Sequence, residues 1–387
     1  MKGAIRHRIR HSYLKFIELE ASGGIVLMFG ALTAMIWANI AAGSYHAIFG
    51  QVIAGLSLEH WINDGLMAIF FLLVGLEIKR ELIEGELSSW KRASLPLFAA
   101  LGGMIAPATI FIFLTRGSPD SRGWGVPMAT DIAFSLGVLS LLGRRVPFAL
   151  KVFLTAFAIV DDLGAIGVIV VAYSGHLAVV PLVLAGALVG VMAFMGKRKV
   201  QGLTYYLVPG ALLWFCILKS GIHASIAGVL VAALIPLGAP EDTDRPLDIL
   251  ENALHPWVAY GVMPLFALAN AGVALGGAHL GNPLPLGTMV GLAVGKPVGI
   301  VAASWLAVRG RVSVLPQGMT WGHVLGVGCL GGIGFTMSIF VAQLAFSGDQ
   351  LNTAKLAIVL GSSISAIAGA GLLLLQPQRE LVGEDEA

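Results

Sequence analysis

The chain has 387 residues, of which 57% are hydrophobic and only 12% are charged, and its formal net charge is +2. Soluble domains typically carry about a quarter charged residues, so this composition excludes an ordinary soluble enzyme and leaves no basic surface for nucleic acid. Since one membrane-spanning helix needs about 20 apolar residues, roughly twelve spans joined by short loops use up the whole length. We therefore predict an all-α integral membrane protein with a single transmembrane domain over residues 1–387.

The first predicted elements are a cytoplasmic segment, residues 1–21, and a first span. Residues 1–21 are basic, and the apolar run that follows, 23–40, is longer than the apolar core of a secretory signal. A cleaved signal is therefore not expected. The next segment, 42–59, is predicted to be an extracytoplasmic loop in which two short β-prone runs around Gly50 form a hairpin.

Apolar windows punctuated by proline, glycine and charged residues then predict twelve transmembrane helices in all. Cys216 and Cys329 lie far apart within these windows, so we expect neither a disulfide nor a metal cluster. The predicted spans lie near residues 22–41, 60–84, 94–115, 121–143, 149–174, 177–195, 202–219, 222–237, 247–273, 286–308, 322–345 and 354–375.

The 24 lysines and arginines lie almost entirely on segments that are cytoplasmic when the N-terminus is cytoplasmic. Because positive charge accumulates on the cytoplasmic side of membrane proteins, both termini, including the tail 376–387, are predicted there. The exceptions are Arg116, Arg122, Lys219 and Lys355 on outer segments and Lys296 within a span.

Four ionisable side chains interrupt apolar spans near their midpoints, where charges are costly and usually mark ion or proton paths. Two adjacent carboxylates can hold Na⁺ with hard oxygen ligands, whereas desolvation and mutual repulsion favour protons when the cation is absent. The pair Asp161 and Asp162 therefore predicts exchange of a cation for protons without a resident cofactor. Buried ion pairs that only lock helices together are the alternative. The four residues are Asp131, Asp161, Asp162 and Lys296.

Adjacent residues of a helix point about 100° apart, so the two aspartates cannot face one point equally. We expect one of them to bind the cation while the other pairs with Lys296 or faces an aqueous funnel. Which aspartate does which is left open by the sequence.

Spans four and eleven are predicted to be discontinuous, because small residues precede Asp131 and because Gly331, Gly332 and Gly334 cluster in the eleventh span. Non-helical backbone at membrane depth is tolerated where it lines a cavity, and matching interruptions in two halves indicate an inverted-repeat transporter. Spans 3–5 and 10–12 are an odd number of positions apart, so the two triplets would cross in opposite directions. We therefore predict inverted-topology repeats with two crossing helices, whose terminal partial charges Asp131 and Lys296 compensate.

Long strings of the chain resemble NhaA-type sodium/proton antiporters. The resemblance implies electrogenic exchange of Na⁺ or Li⁺ for H⁺, activated at alkaline pH, by a dimer in the bacterial inner membrane in which the outer hairpin takes part. It implies that Asp161 and Asp162 hold the transported Na⁺, that Asp131 and Thr130 belong to the same site, and that Lys296 balances its charge. The matching strings include ATDIAFSLGVLSLLG at 129–143, FAIVDDLGAI at 157–166, VGKPVGI at 294–300 and GGIGFTMSIFVA at 331–342.

The resemblance also assigns titratable side chains to pH regulation. One group lies at helical spacing on the second and ninth spans and would line a cytoplasmic funnel, although a solvated charged helix end is the alternative. His223 and Asp64 resemble two further positions, for which hydrogen bonding at a helix end is the alternative. The first group is Glu77, Arg80, Glu81, Glu251 and His255.

Two other functions remain open from the sequence. A sodium-coupled symporter of an organic anion could use a related crossed-helix fold, although no second polar cluster offers a site for such a solute. An intramembrane aspartyl protease also uses two membrane aspartates, but the strings VDDLG and ATDIA lack the GxGD pattern of those enzymes.

Overall fold

The computed structural model describes residues 2–143, 146–175, 177–238, 245–274 and 280–376, with side chains described at residue 19 and from residue 22 onward. The predicted tail 376–387 therefore lies outside the described residues apart from its first residue. The described chain is almost entirely helical, and its strands form one two-stranded sheet.

The loop after the first helix, α1 (Lys2–Ile40), differs from the sequence-based expectation. Its first β-prone run is helical and forms α2 (Ala42–Phe49), which packs through Tyr45 and Phe49. The Tyr45 hydroxyl lies 2.7 Å from the carbonyl oxygen of Ala269 and 2.8 Å from that of Leu268. Burial of this phenol raises its pKa, so it remains a neutral donor that ties the loop to a distant helix end.

The hairpin itself pairs β1 (Val52–Ile53) with β2 (Leu56–Ser57) in antiparallel register. Its turn falls at Ala54 and Gly55, with φ of 52° and 85°, rather than around Gly50. Two consecutive left-handed residues match the right-handed strand twist, and glycine adopts this conformation without steric cost.

Within the described ranges, six helical stretches are long and apolar enough to span a membrane, and the number rises to eight if each of two bent helix pairs counts as one span. The other four predicted spans are also helical in the described residues, but they are shorter or interrupted by π-helical turns. The six stretches are Ser22–Ile40 of α1, Trp90–Leu114 (α5), Phe148–Ala172 (α7), Val179–Lys197 (α8), Pro283–Arg309 and Gly348–Leu374 (α17).

The shorter elements complete the chain order. They are α3 (Leu58–His60), α4 (Met67–Ile83), α9 (Thr204–Ser220), α10 (Ile226–Leu234), α11 (Pro246–Trp257), α12 (Met263–Asn270), α13 (Pro283–Val290) and α14 (Lys296–Arg309). A π-helical segment, Trp61–Leu66, leads into α4, and a second one, Val258–Val262, joins α11 to α12. A third, Gly291–Gly295, interrupts the stretch Pro283–Arg309 between α13 and α14.

The two bent pairs occur at the predicted interruptions of spans four and eleven. In the first, short 3-10 turns over Pro119–Met128 are followed by α6 (Ile132–Leu141) at 46°. In the second, α15 (Trp321–Gly331) is followed by α16 (Phe335–Ala345) at 44°. The non-helical backbone lies at Asp131 in one pair and directly after Gly331 in the other, so the sequence located both breaks.

A glycine contact sets the position of α14 against α5. A Cβ atom added at Gly102 would collide with the backbone carbonyl of Gly299, and one added at Gly299 would collide with the carbonyl of Gly102. Small residues permit such close backbone approach between membrane helices. This approach carries Lys296, at the start of α14, into the centre of the helix assembly.

Candidate functional site

Lys296 and Asp161 form a fully buried ion pair. The Lys296 ammonium lies 2.8 Å from Oδ2 and 3.0 Å from Oδ1 of Asp161, and it also donates to the Thr130 hydroxyl at 2.7 Å. A π-helical turn, Gly291–Gly295, directly precedes the lysine and shifts the phase of the side chains that follow. Because buried charges need both a counter-charge and hydrogen bonds, this geometry identifies Asp161 as the aspartate that pairs with Lys296.

Asp162 lies on a different face of α7. Ile166 and Ile169, which share its face at helical spacing, line a small void together with Phe71 of α4 and Val229 of α10. Asp162 itself is only 4% exposed. The two aspartates thus lie on different faces of α7. Asp161 faces the crossing of the broken helices, and Asp162 lies on the face that is turned toward α4 and α10.

Asp131 holds the two broken helices together. Its Oδ1 accepts a hydrogen bond from the Phe134 amide at 3.0 Å, and its Oδ2 accepts from the amide of Thr336 at 3.1 Å and from the Thr336 hydroxyl. Its own amide donates to the Ile333 carbonyl at 2.7 Å. One carboxylate therefore caps the N-termini of α6 and α16 together, where negative charge is favourable.

Thr130 connects the ion pair to the C-terminal end of α15. Its hydroxyl donates to the Gly331 carbonyl at 2.8 Å while it accepts from Lys296. Gly331 ends α15, so a chain of two hydrogen bonds places the Lys296 ammonium near a helix C-terminus, where positive charge is stabilising. The Thr130 hydroxyl thus lies between the Lys296 ammonium and the C-terminus of α15.

Further hydrogen bonds join the first half of each broken helix to the second half of the other. This pattern requires the two broken helices to run in opposite directions through the crossing. Ser362 of α17 also accepts from the amides of Gly334 and Phe335 at 3.2 Å each. The hydrogen bonds between the two broken helices run from Ser135 Oγ to the Leu330 carbonyl at 2.9 Å and from Ser338 Oγ to the Val126 carbonyl at 2.7 Å.

The five residues predicted for pH sensing lie together between α4 and α11, and we call them the acidic cluster. Arg80 pairs with Glu251 and lies 3.7 Å from Glu81, while His255 Nε2 lies 3.9 Å from Glu77 Oε1. The three glutamates and the histidine are between 3% and 5% exposed. The cluster is therefore a buried charge network rather than a solvated helix end.

The structure also brings His223 and Asp64 together, which the sequence treated separately. Their side chains approach to 3.3 Å, His223 Nδ1 lies 2.9 Å from the Ser225 hydroxyl, and the imidazole meets the Phe340 ring edge-on. At the other end of α10, Lys79 caps the helix by donating to the carbonyls of Ala233 and Ile235. Short α10 is thus fixed to α4 and its preceding turn at both ends.

Sequence reasoning missed Thr336 as a partner of Asp131. A detectable signal existed, because a hydroxyl residue two positions after a glycine cluster is typical of the first turn of a new helix. Among the described residues, no group of three or more His, Cys, Asp or Glu side chains has the geometry of a resident metal site. Asp161, Asp162 and Thr130 carry oxygen atoms of the kind that hard cations prefer as ligands.

Comparisons with known proteins assign the chain to a recognised group. Residues 14–373 match the family described as Na⁺/H⁺ antiporter 1. The protein named Na(+)/H(+) antiporter NhaA 2 from Pseudomonas syringae pv. syringae is 51% identical, with 94% of this chain and 95% of that protein covered. The Na(+)/H(+) antiporter NhaA of Vibrio campbellii is 48% identical over 95% of this chain and 96% of its own length.

Proposed function

The chain belongs to the Na⁺/H⁺ antiporter 1 family, and from that premise we propose that the carboxylates of Asp161 and Asp162 carry Na⁺ and H⁺ in turn. It is a multi-pass membrane protein and a sodium/proton antiporter, and the names of its relatives do not support symport of an organic anion. The observation that carries the proposed mechanism is the contact of both Asp161 oxygens with Lys296.

In this mechanism, Na⁺ and the Lys296 ammonium compete for the same oxygens of Asp161. Entry of Na⁺ between Asp161 and Asp162 displaces the ammonium, which then loses its proton because a buried unpaired charge is unfavourable. Asp162 releases a second proton when the cation binds. Two protons exchanged for one Na⁺ make the cycle electrogenic, and Li⁺, which is also a hard cation, uses the same oxygens.

Asp131 and Thr130 have supporting roles at the same site. Three hydrogen bonds join the Asp131 carboxylate to the N-termini of α6 and α16 and to the Thr336 hydroxyl, so Asp131 fixes the crossing more than it binds the transported ion. The Thr130 hydroxyl is exchanged between Lys296 and Na⁺ as an oxygen ligand. Gly331 ends α15, and Gly332 and Gly334 belong to the non-helical backbone beside which the ion passes.

We further propose twelve spans in an inverted repeat, with α5 to α7 related to α13 to α17. Each triplet has a long apolar helix, a broken helix and a second long apolar helix, and the broken helices run in opposite directions. The distribution of lysine and arginine favours cytoplasmic termini in a bacterial inner membrane. The exposed Val52 of the hairpin, with 72% of its surface accessible, favours a homodimer contact there.

The acidic cluster is proposed to regulate the exchange by pH. Its carboxylates and imidazole are buried at contact distance, so a change of protonation in one alters the charge balance of the whole network. Asp64 and His223 form a second titratable pair, which contacts Phe340 of a broken helix. Replacement of Glu251 by Gln is expected to shift the pH at which transport begins while leaving the maximal rate within about threefold.

The mechanism is tested by Na⁺-driven proton movement in everted vesicles. Asp161→Asn and Asp162→Asn are each expected to abolish the Na⁺-dependent pH change. Asp349→Asn, the same chemical change at an exposed position of α17, is the matched control and is expected to retain it. Near-normal exchange in both site variants would reject the proposal.

A further inference from the structure

The second half of one broken helix, α16, packs one face against two neighbouring helices. The Phe340 ring lies 5.6 Å from the ring of Phe71 on α4 and 6.2 Å from that of Phe266 on α12, measured between centroids. Gln343 follows at a spacing of three residues and so lies on the same face. Its side chain also reaches the end of α12.

There, Gln343 joins a cluster of three amides around the buried Asn270, which we call the amide cluster and define as Asn63, Asn270 and Gln343. Asn270 Oδ1 accepts from Gln343 Nε2 and, at 3.4 Å, from Asn63 Nδ2. Asn270 Nδ2 donates to Asn63 Oδ1 at 2.7 Å and to the Phe266 carbonyl at 2.9 Å. Asn270 is fully buried, and both groups of its amide are satisfied, as a stable buried amide requires.

The amide cluster lies between Asp162 and the end of the molecule that carries the hairpin, which we call the hairpin face. Asn63 follows the hairpin closely in the chain, and the Tyr45 hydroxyl contacts the carbonyl of Ala269, the neighbour of Asn270. On α7, Ile169 is two turns, or about 10 Å, from Asp162 toward the same face. Phe71 lines the void beside Ile169 and its ring contacts Phe340, so Phe340 and the amide cluster lie on the side of this void that faces the hairpin.

Gln343 of α16 makes fewer hydrogen bonds to its neighbours than Asp131 makes at the crossing of the broken helices. Its Oε1 is buried without a hydrogen-bond partner among the described residues, so its link to Asn270 uses one group of the amide. By contrast, the Asp131 carboxylate accepts three hydrogen bonds within the crossing. Among the described residues, a separation of α16 from α4 and α12 thus breaks the Gln343–Asn270 hydrogen bond, whereas opening the crossing breaks several hydrogen bonds.

We propose that the amide cluster, with Phe340 beneath it, is the gate that closes the hairpin-face route to Asp162 and opens when α16 moves away from α4 and α12. This inference rests on the antiport function proposed above, because an antiporter must close one side of its site while the other is open. Asn270 and Asn63 remain bonded to each other when the gate opens, and Gln343 leaves with α16.

The test measures access to the route from one side of the membrane. A cysteine is introduced by Ile169→Cys in a background with Cys216→Ser and Cys329→Ala, and a membrane-impermeant maleimide is added at the hairpin face. Ile169 is 2% exposed, so labelling is expected to be slow. Gln343→Ala removes one hydrogen bond from the closed state and is expected to raise the labelling rate about fivefold.

The matched control is Ser363→Ala on α17, whose exposed hydroxyl bonds only the Val359 carbonyl of its own helix. It is expected to leave the labelling rate unchanged. Gln343→Asn, which keeps the amide but shortens its reach, is expected to raise labelling as Gln343→Ala does, and it replaces that variant if the alanine protein does not fold. Equal labelling in the Gln343 and Ser363 variants would overturn the gate.

Transport by the same proteins separates failure of the gate from failure of the antiport mechanism. Gln343→Ala is expected to lower the apparent KM for Na⁺ supplied at the hairpin face about fivefold relative to the opposite face. A KM that changes equally on both faces contradicts the gate. Faster labelling in a protein whose wild type shows no Na⁺-dependent proton movement would retain the gate and reject the exchange mechanism.

Discussion

Lys296 Nζ lies 2.8 Å from Asp161 Oδ2, and the exposed fractions of the two side chains are 0% and 1%. Each charge has lost its hydration, so each depends on the other and on Thr130 for compensation. The pair therefore gives the protein a fixed internal counter-ion at the position that Na⁺ must occupy. Loss of either partner is therefore expected to affect both the stability of the protein and transport.

Lys296→Ala is expected to destabilise the protein by about 3–5 kcal/mol, because it leaves a buried carboxylate without its counter-charge. The charge moved per Na⁺ is also expected to fall, since no ammonium is left to release its proton when the cation binds, whereas the carboxylate oxygens that bind Na⁺ remain in place. Thermal unfolding in detergent and charge movement per Na⁺ in proteoliposomes measure the two effects. Adding Asp161→Asn to Lys296→Ala should restore part of the stability, and an unchanged melting temperature together with unchanged charge movement in Lys296→Ala would contradict this role.

Asp161→Asn and Asp162→Asn are expected to separate stability from transport. Both variants should abolish exchange, but only Asp161→Asn leaves the Lys296 ammonium unpaired, so only it should lower the melting temperature strongly. The melting temperature of the Asp162→Asn variant should lie within a few degrees of that of the wild type. Comparable destabilisation by both substitutions would show that the ion pair is not specific to Asp161.

Much of this arrangement follows from local patterns in the sequence. The cost of placing a charge in an apolar span singled out Asp131, Asp161, Asp162 and Lys296, and glycine clustering located the break after Gly331. Both signals are one-dimensional, since they need only the identity of a residue and its depth within a span. The acid pair and both helix interruptions were therefore predictable.

Other features depend on how helices approach each other and carry no such signal. Adjacent aspartates look equivalent in a sequence, and the approach of α14 to α7 is what brings the ammonium to Asp161. The amide cluster draws Asn63 and Asn270 from distant parts of the chain. The hairpin shifted because Tyr45 gains a buried contact as part of a helix, which overrides the β-propensity of its segment.

Asp131→Asn is expected to destabilise the crossing by about 1–3 kcal/mol, because an amide offers one acceptor oxygen where two helix N-termini and the Thr336 hydroxyl need a carboxylate. The apparent KM for Na⁺ should stay within about threefold of the wild-type value, since both carboxylate oxygens of Asp131 accept hydrogen bonds from the helix ends. Unfolding and uptake measurements on the same preparation test this. Loss of Na⁺ binding without loss of stability would make Asp131 a direct ligand instead.

Tyr45→Phe is expected to lower the free energy of unfolding by about 1 kcal/mol by removing the hydroxyl that contacts the carbonyls of Leu268 and Ala269. Burial raises the pKa of this phenol above its ordinary value, so its stabilisation is fully present below the unfolded-state pKa of about 10 and is lost only as pH rises beyond it. The destabilisation should therefore be the same at pH 6.5 and pH 9, in contrast to any alkaline activation of transport. Tyr205→Phe, at a tyrosine that is 60% exposed on α9, is the matched control and should leave thermal unfolding unchanged. A destabilisation by Tyr45→Phe that disappears between pH 6.5 and pH 9 would mean that the phenol ionises in the folded protein, contrary to its burial against the end of α12.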